Sequence, residues 1–138
     1  MTTADGSGGV AVTTARAHGL FNVVGGLWPL VSRRSFEAIF GAKYDRWLQY
    51  TVAGLLLGNG AVQLMTEDTP AGRRNARNLG VATAATLLAI DLAYAPRGRI
   101  RRTYLLDAAM EAGWLGAWAL QARGARSLSA RDGRGAAG

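Results

Sequence analysis

The chain has no cysteine, one histidine, one lysine and three prolines in 138 residues. Without cysteine it can form no disulfide, run no thiol chemistry and build no Cys-based metal centre. A single histidine leaves a haem or metal site short of ligands unless an oligomer pools them. The two acids Asp107 and Glu111, one helical turn apart, lack the Glu-x-x-His partner that a carboxylate metal site uses. No G-x-S-x-G, no H-E-x-x-H and no phosphate-binding Gly-rich loop before a lysine occurs. The expectation is therefore no catalytic residue, no metal, no cofactor and no enzyme.

Charge is also scarce. Charged residues make up 18% of the chain, below the roughly 25% of ordinary soluble domains, while apolar residues make up 49%. The balance is basic, +7, and arginine supplies nearly all of it. The arginines cluster at 33–34, 73–77, 97–102 and 123–134, between apolar runs, and no single helix carries a basic stripe. Nucleic-acid binding needs a coherent basic face, so it is not expected. Arginine that brackets apolar segments is the pattern of membrane helices.

Four segments approach the roughly 20 apolar residues that cross a bilayer. Residues 47–66, WLQYTVAGLLLGNGAVQLMT, hold no charge, and their polar positions after the first turn are Thr51, Asn59, Gln63 and Thr66. That is too narrow a polar face for a soluble helix. Residues 78–96 hold one charge, Asp91, and residues 103–122 hold two, Asp107 and Glu111. The first segment, 17–32, is short and reaches spanning length only by extension back to Val10, past Arg16 and His18. A cleaved signal peptide fits it poorly, because Ser32-Arg33-Arg34 follows in place of an A-x-A-like site. The expected fold is all-α: an antiparallel four-helix transmembrane bundle with spans at about 10–32, 46–66, 76–96 and 103–122, between flexible tails at 1–9 and 124–138.

The connections refine this. In SRRSFEAIFGAKYDR (32–46), Phe36, Ile39 and Phe40 share one helical face while Arg34, Glu37 and Lys43 stay polar. That suits a short interfacial helix in the headgroup plane, capped by Ser35 and ended by Gly41. Pro70-Ala71-Gly72 and Pro96-Arg97-Gly98 read as turns. Tight turns make neighbours antiparallel, which places both termini on one side, A, and loops 32–46 and 97–102 on the other, B. Lys and Arg count eight on side A and eight on side B, so positive-inside bias assigns no orientation. Trp28, Phe36, Phe40 and Trp47 are expected to anchor the chain at the interface.

Ionisable residues inside spans are costly and usually face the bundle interior. Helical rise places Asp91 and Asp107 at one level near side B, and Glu111 roughly 12 Å in from side B, near the midplane. The shallow pair has arginines in plausible reach: Arg33, Arg34, Arg97, Arg99, Arg101 and Arg102. Glu111 has none at its depth, so it should be protonated or bonded to other helices. His18 and Asn22 on the first span, and Asn59 and Gln63 on the second, fall at i, i+4. A polar file can thus run from Asp91 and Asp107 through Glu111 and Asn22 to His18, Asn59 and Gln63. Leu105, Ala109, Ala112 and Gly116 form the opposite face of the fourth span, small enough for close helix contact. Gly54-x-x-x-Gly58 matches a dimerisation motif, which intrachain packing explains equally well.

The stretches HGLFNVVGGLWPLVSRRSFEAIFGAKYDRWL (18–48) and YLLDAAMEAGWLGAW (104–118) resemble small bacterial four-helix membrane proteins of unknown function. More distantly, they are similar to the broad DoxX-like group of four-span proteins. The resemblance implies a four-span fold in a bacterial inner membrane and assigns no residue roles. Two functions stand open. One is a homo-oligomeric channel or transporter for protons, cations or a small cationic solute. The other is a non-transporting scaffold or accessory subunit, with an unidentified membrane partner, whose buried acids are structural.

Overall fold

Pro70 illustrates how local rules place the helices. Its missing N–H costs nothing at the first position of a helix, and Thr69 before it accepts a hydrogen bond from the Gly72 amide at 3.0 Å. Residues 70–72, expected as a turn, are therefore the first turn of a helix. In the computed structural model, which describes residues 6–135, the elements are α1 (Gly6–Val31), α2 (Arg33–Phe40), α3 (Arg46–Leu64), α4 (Pro70–Tyr94) and α5 (Tyr104–Gly135). The described residues are all-α and contain no strand. Residues 1–5 and 136–138 of the expected tails lie outside them. α5 also continues to Gly135, through residues expected to be a tail; Ala, Arg and Leu favour helix there and no proline stops it.

α2 is the expected short helix, but its cap differs. Ser32 occupies the N-cap position, and Ser35 lies inside the helix, where its hydroxyl donates to the Ser32 carbonyl and accepts from the Trp28 indole. Gly41 ends α2 as expected, at φ 86°, where a side chain is disfavoured. Gly98 does the same between α4 and α5, at φ 68°.

The long helices pack through glycine and alanine. A Cβ at Gly19 would lie 2.7 Å from the Gly60 carbonyl oxygen, and one at Gly26 would lie 2.6 Å from that of Ala53. These two contacts, one heptad apart on each helix, bring α1 and α3 nearly backbone to backbone in antiparallel register. α4 pairs with α5, and α1 also meets both. The buried apolar set is correspondingly small-sided: Ala11, Val12, Ala15, Ala53, Ala76, Ala84, Ala95 and Ala108, with Trp118 the one large member. Gly54 and Gly58 have open space beside them, so the G-x-x-x-G pattern serves no contact within the chain. The face of Leu105, Ala109, Ala112 and Gly116 is likewise exposed.

At about 1.5 Å per residue, α1, α3, α4 and α5, of 26, 19, 25 and 32 residues, are each long by the measure of a bilayer core. Yet no helix among the described residues is both long and apolar enough, by mean hydropathy, to cross a membrane. In α3, uncharged after Arg46, the shortfall comes from Gln49, Asn59, Gln63 and the glycines. Helix hydropathy thus gives the four-span expectation no support.

α2 lies across one end of the bundle. Arg101 donates to the Ala38 carbonyl and Thr103 to that of Ile39, each at 2.7 Å, which satisfies two carbonyls at the helix C-terminus. Beneath it Trp28, Phe36, Phe40 and Tyr104 form a chain of ring contacts, with centroids 4.8–6.0 Å apart along Phe40–Tyr104 and Trp28–Phe40. Arg101→Ala is expected to loosen α2 by about 1 kcal/mol. Acrylamide quenching of tryptophan fluorescence should rise as Trp28 loses its cover; unchanged quenching would mean that the rings alone hold α2.

Candidate functional site

The polar residues of the four long helices gather in the interior as two groups. The first is an amide and imidazole knot. His18 and Asn22, one turn apart on α1, face Gln63 of α3 and Trp118 of α5, and all four are at least 99% buried. Asn22 Nδ2 donates to Gln63 Oε1 at 2.9 Å. Trp118 Nε1 donates to His18 Nδ1 at 3.1 Å, and Gln63 Nε2 approaches the same nitrogen at 3.3 Å. An indole only donates, so His18 Nδ1 accepts and the neutral ring carries its hydrogen on Nε2. That Nε2 has no partner among the described residues. Trp114 stacks on the imidazole at 4.6 Å and 14°. Gly80 makes the knot possible, because a Cβ there would lie 2.7 Å from Trp118 Nε1.

The second group is acidic and lies under α2. Asp91 of α4 and Asp107 of α5 lie close enough for each carboxyl to act on the other. Two ionised carboxylates can only accept, so a hydrogen bond between them would need a shared proton. Asp91 is 97% buried and its Oδ2 finds no donor among the described residues. Glu111, one turn from Asp107, is wholly buried, and neither of its oxygens has a partner. It lies within electrostatic range of both aspartates. Lys43, from the loop after α2, places its ammonium 4.5 Å above the centre of the Tyr104 ring. Burial pushes the Lys43 amine below the usual lysine range, against the opposing pull of the Glu37 and Asp91 carboxylates.

Asp91, Asp107 and Glu111 lie within electrostatic range of one another, and His18, Asn22 and Gln63 come together. The Trp114 ring, one turn beyond Glu111, stacks on His18 and leads from one group towards the other. Asn22 bonds Gln63, not Glu111. Asn59, one turn before Gln63 on α3, is half-buried and donates to Thr83 of α4 at 3.1 Å.

The loop arginines do not answer the acids. Arg97 donates to the Ala93 carbonyl and Arg101 to that of Ala38. Arg33 pairs with Glu37, four residues on in its own helix, at 3.6 Å. Arg34, Arg99 and Arg102 are exposed and make no ion pair among the described residues. The carbonyls at helix ends are strong acceptors close at hand, and reaching them spares guanidinium the desolvation of entering the interior. Of the expected anchors, Trp28, Phe36 and Phe40 lie in the ring cluster, whereas Trp47 is exposed.

Lys43 and Gly80 carry parts of the site that sequence reasoning did not assign, whereas Tyr104 and Trp118 fall at spacings of three and four on one stripe with Asp107, Glu111 and Trp114, and Trp118 is buried in the knot. The signal for Lys43 was present, as the one lysine in a chain otherwise basic through arginine. Among the described residues no group of His, Asp and Glu could hold a metal ion. A shallow cavity of about 330 Å³ lies between the end of α3 and the start of α4, lined by Val62, Met65, Thr66 and Asn75 among others, and shares no residue with either polar group. In comparisons with known proteins, no family model matches the chain, and no curated protein or solved structure shows significant similarity to it.

Proposed function

We propose that the protein is a four-span membrane protein, with α2 at the membrane surface, that passes protons or small cations through the acidic group. One observation carries the reading: polarity is inverted. The largest wholly buried side chains besides Trp118 are His18, Gln63, Glu111 and Asn22. Meanwhile Leu20, Val24 and Leu27 on α1, and Leu48, Val52, Leu55 and Val62 on α3, are exposed in stripes of helical spacing. In water the exposed apolar stripes would be unfavourable; in lipid an apolar surface with polar residues turned to the bundle interior is the expected arrangement. The same inversion accounts for part of the low mean hydropathy, because buried Gln63 and half-buried Asn59 of α3, and buried His18, Asn22 and Glu111, are among the residues that lower it. The setting would be a bacterial inner membrane, and the exposed small-residue faces of α3 and α5 suit a homo-oligomer.

A second reading, a non-transporting scaffold or accessory subunit, is favoured by the Asn22–Gln63–His18–Trp118 knot. Its members largely satisfy one another, as interhelical bonds that only hold a bundle do. Purified protein in liposomes decides between them. Under an inside-negative potassium diffusion potential, a lumenal pH dye should report acidification faster than in empty vesicles. Equal rates sink transport and leave the scaffold.

A further inference from the structure

A cation of the chain's own stands at the edge of the acidic group, on the Tyr104 ring face and within electrostatic range of Asp91. Its ammonium makes no ion pair with a carboxylate among the described residues. Lys43 sits two residues past Gly41, in a connection between α2 and α3 that is not helical, and its side chain reaches back over the Tyr104 ring. Phe40 packs against the same ring, at 4.8 Å between centroids. Asp91, with an unpartnered buried oxygen, and Asp107 lie close enough to Tyr104 for their charges to act on its hydroxyl. An aromatic face and carboxylate oxygens together are what an organic ammonium group needs: the ring quadrupole attracts the charge and the oxygens accept its N–H bonds. A hard divalent ion would need six or more oxygen ligands, which two aspartates and one phenol do not approach. Guanidinium is excluded by behaviour, since neighbouring Arg97 and Arg101 turn to backbone carbonyls.

We propose that Tyr104, Asp91 and Asp107 form a binding site for a primary alkylammonium ion, in which Lys43 is a tethered occupant of the ring face that a free amine must displace to reach the unpartnered Asp91 oxygen. The inference rests on the reading of the acids as the path of a cationic solute, and it names that solute's class. The tether gives Lys43 an effective concentration on the order of millimolar, so a free amine of modest affinity competes poorly while Lys43 is in place. The loop between Gly41 and Asp45 is where the occupant would withdraw. Lys43 then acts as a selectivity device: only a cation that satisfies the ring and the carboxylates better than a lysine gains the interior.

The test is equilibrium binding of n-butylammonium chloride to the full chain in detergent micelles, followed by NMR line broadening of the amine, with sodium chloride at equal ionic strength as control. Lys43→Gln should bind at least about tenfold more tightly than wild type. Adding Asp91→Asn or Tyr104→Leu to that variant should each remove the gain, whereas Tyr104→Phe, which keeps the ring face, should retain it. Helical circular dichroism and melting temperature select the variants that fold. A Lys43→Gln protein that binds no more tightly than wild type overturns the proposal, as does a gain that survives Asp91→Asn or Tyr104→Leu. No flux is read here, so vesicles that move no protons and micelles that bind no amine are separate failures of separate claims.

Discussion

Gly60→Leu is expected to prevent α1 and α3 from pairing, at a cost of about 3–5 kcal/mol. The first atom added, the Cβ, would lie 2.5 Å from the Gly19 carbonyl oxygen and 2.8 Å from the Val23 backbone nitrogen. Both are backbone atoms, so no rotamer change relieves the overlap, and α1 must move away as a body. Moving it also pulls apart Gly26 and Ala53, one heptad on, and separates Asn22 from Gln63. The loss is therefore cooperative across the seam and larger than a local overpacking. Gly58→Leu supplies the control on the same helix, because nothing lies within 4 Å of a Cβ there. It should leave stability within about 1 kcal/mol of wild type. Thermal unfolding in micelles, followed by circular dichroism, separates the two: equal melting temperatures would mean that the α1–α3 seam is not what the glycines build.

That contrast also shows what the sequence makes legible. The apolar runs locate four long helices, and Gly41 and Gly98 mark two turns, because periodicity and backbone freedom are local properties. Thr69-Pro70 was equally readable as a cap followed by proline at the first helical position, yet the pair also suits a turn, and only the hydrogen bond to Gly72 decides. Gly19 and Gly26 with Ala53 and Gly60 carry the packing at a spacing of seven, while the better-known G-x-x-x-G spacing at Gly54 and Gly58 meets open space. Depth along each helix was also computable, and it grouped Asp91 with Asp107. Depth says nothing of rotation about the axis. That is why depth alone does not reveal that Asn22 bonds Gln63 and not Glu111. Lys43 reaches the site from a loop, where no period exists to reveal its direction.

Glu111→Leu is expected to raise stability by roughly 1–3 kcal/mol and to abolish proton movement. Glu111 is wholly buried, and neither carboxylate oxygen meets a donor among the described residues. A buried polar group without a partner opposes folding by its desolvation, and replacing it with an apolar group of similar volume removes that cost. No hydrogen bond is lost in the exchange, since none is made. The sign is the informative part. A glutamate that tied helices together would destabilise on removal, as breaking a paired buried charge does. A glutamate that carries protons has no such duty, and its cost to the fold is the usual trade between stability and function at a working site. Glu111→Gln keeps the shape and removes the exchangeable carboxyl proton, so it should match wild type in melting temperature within a few degrees, about 1 kcal/mol in a chain of this size, and fall at least tenfold in vesicle acidification rate. Melting in micelles and dye flux in vesicles, measured on both variants, separate the roles. Lower stability in Glu111→Leu would make the residue a structural tie, and unchanged flux in Glu111→Gln would remove it from the proton path, leaving the Asp91–Asp107 pair as the remaining carrier.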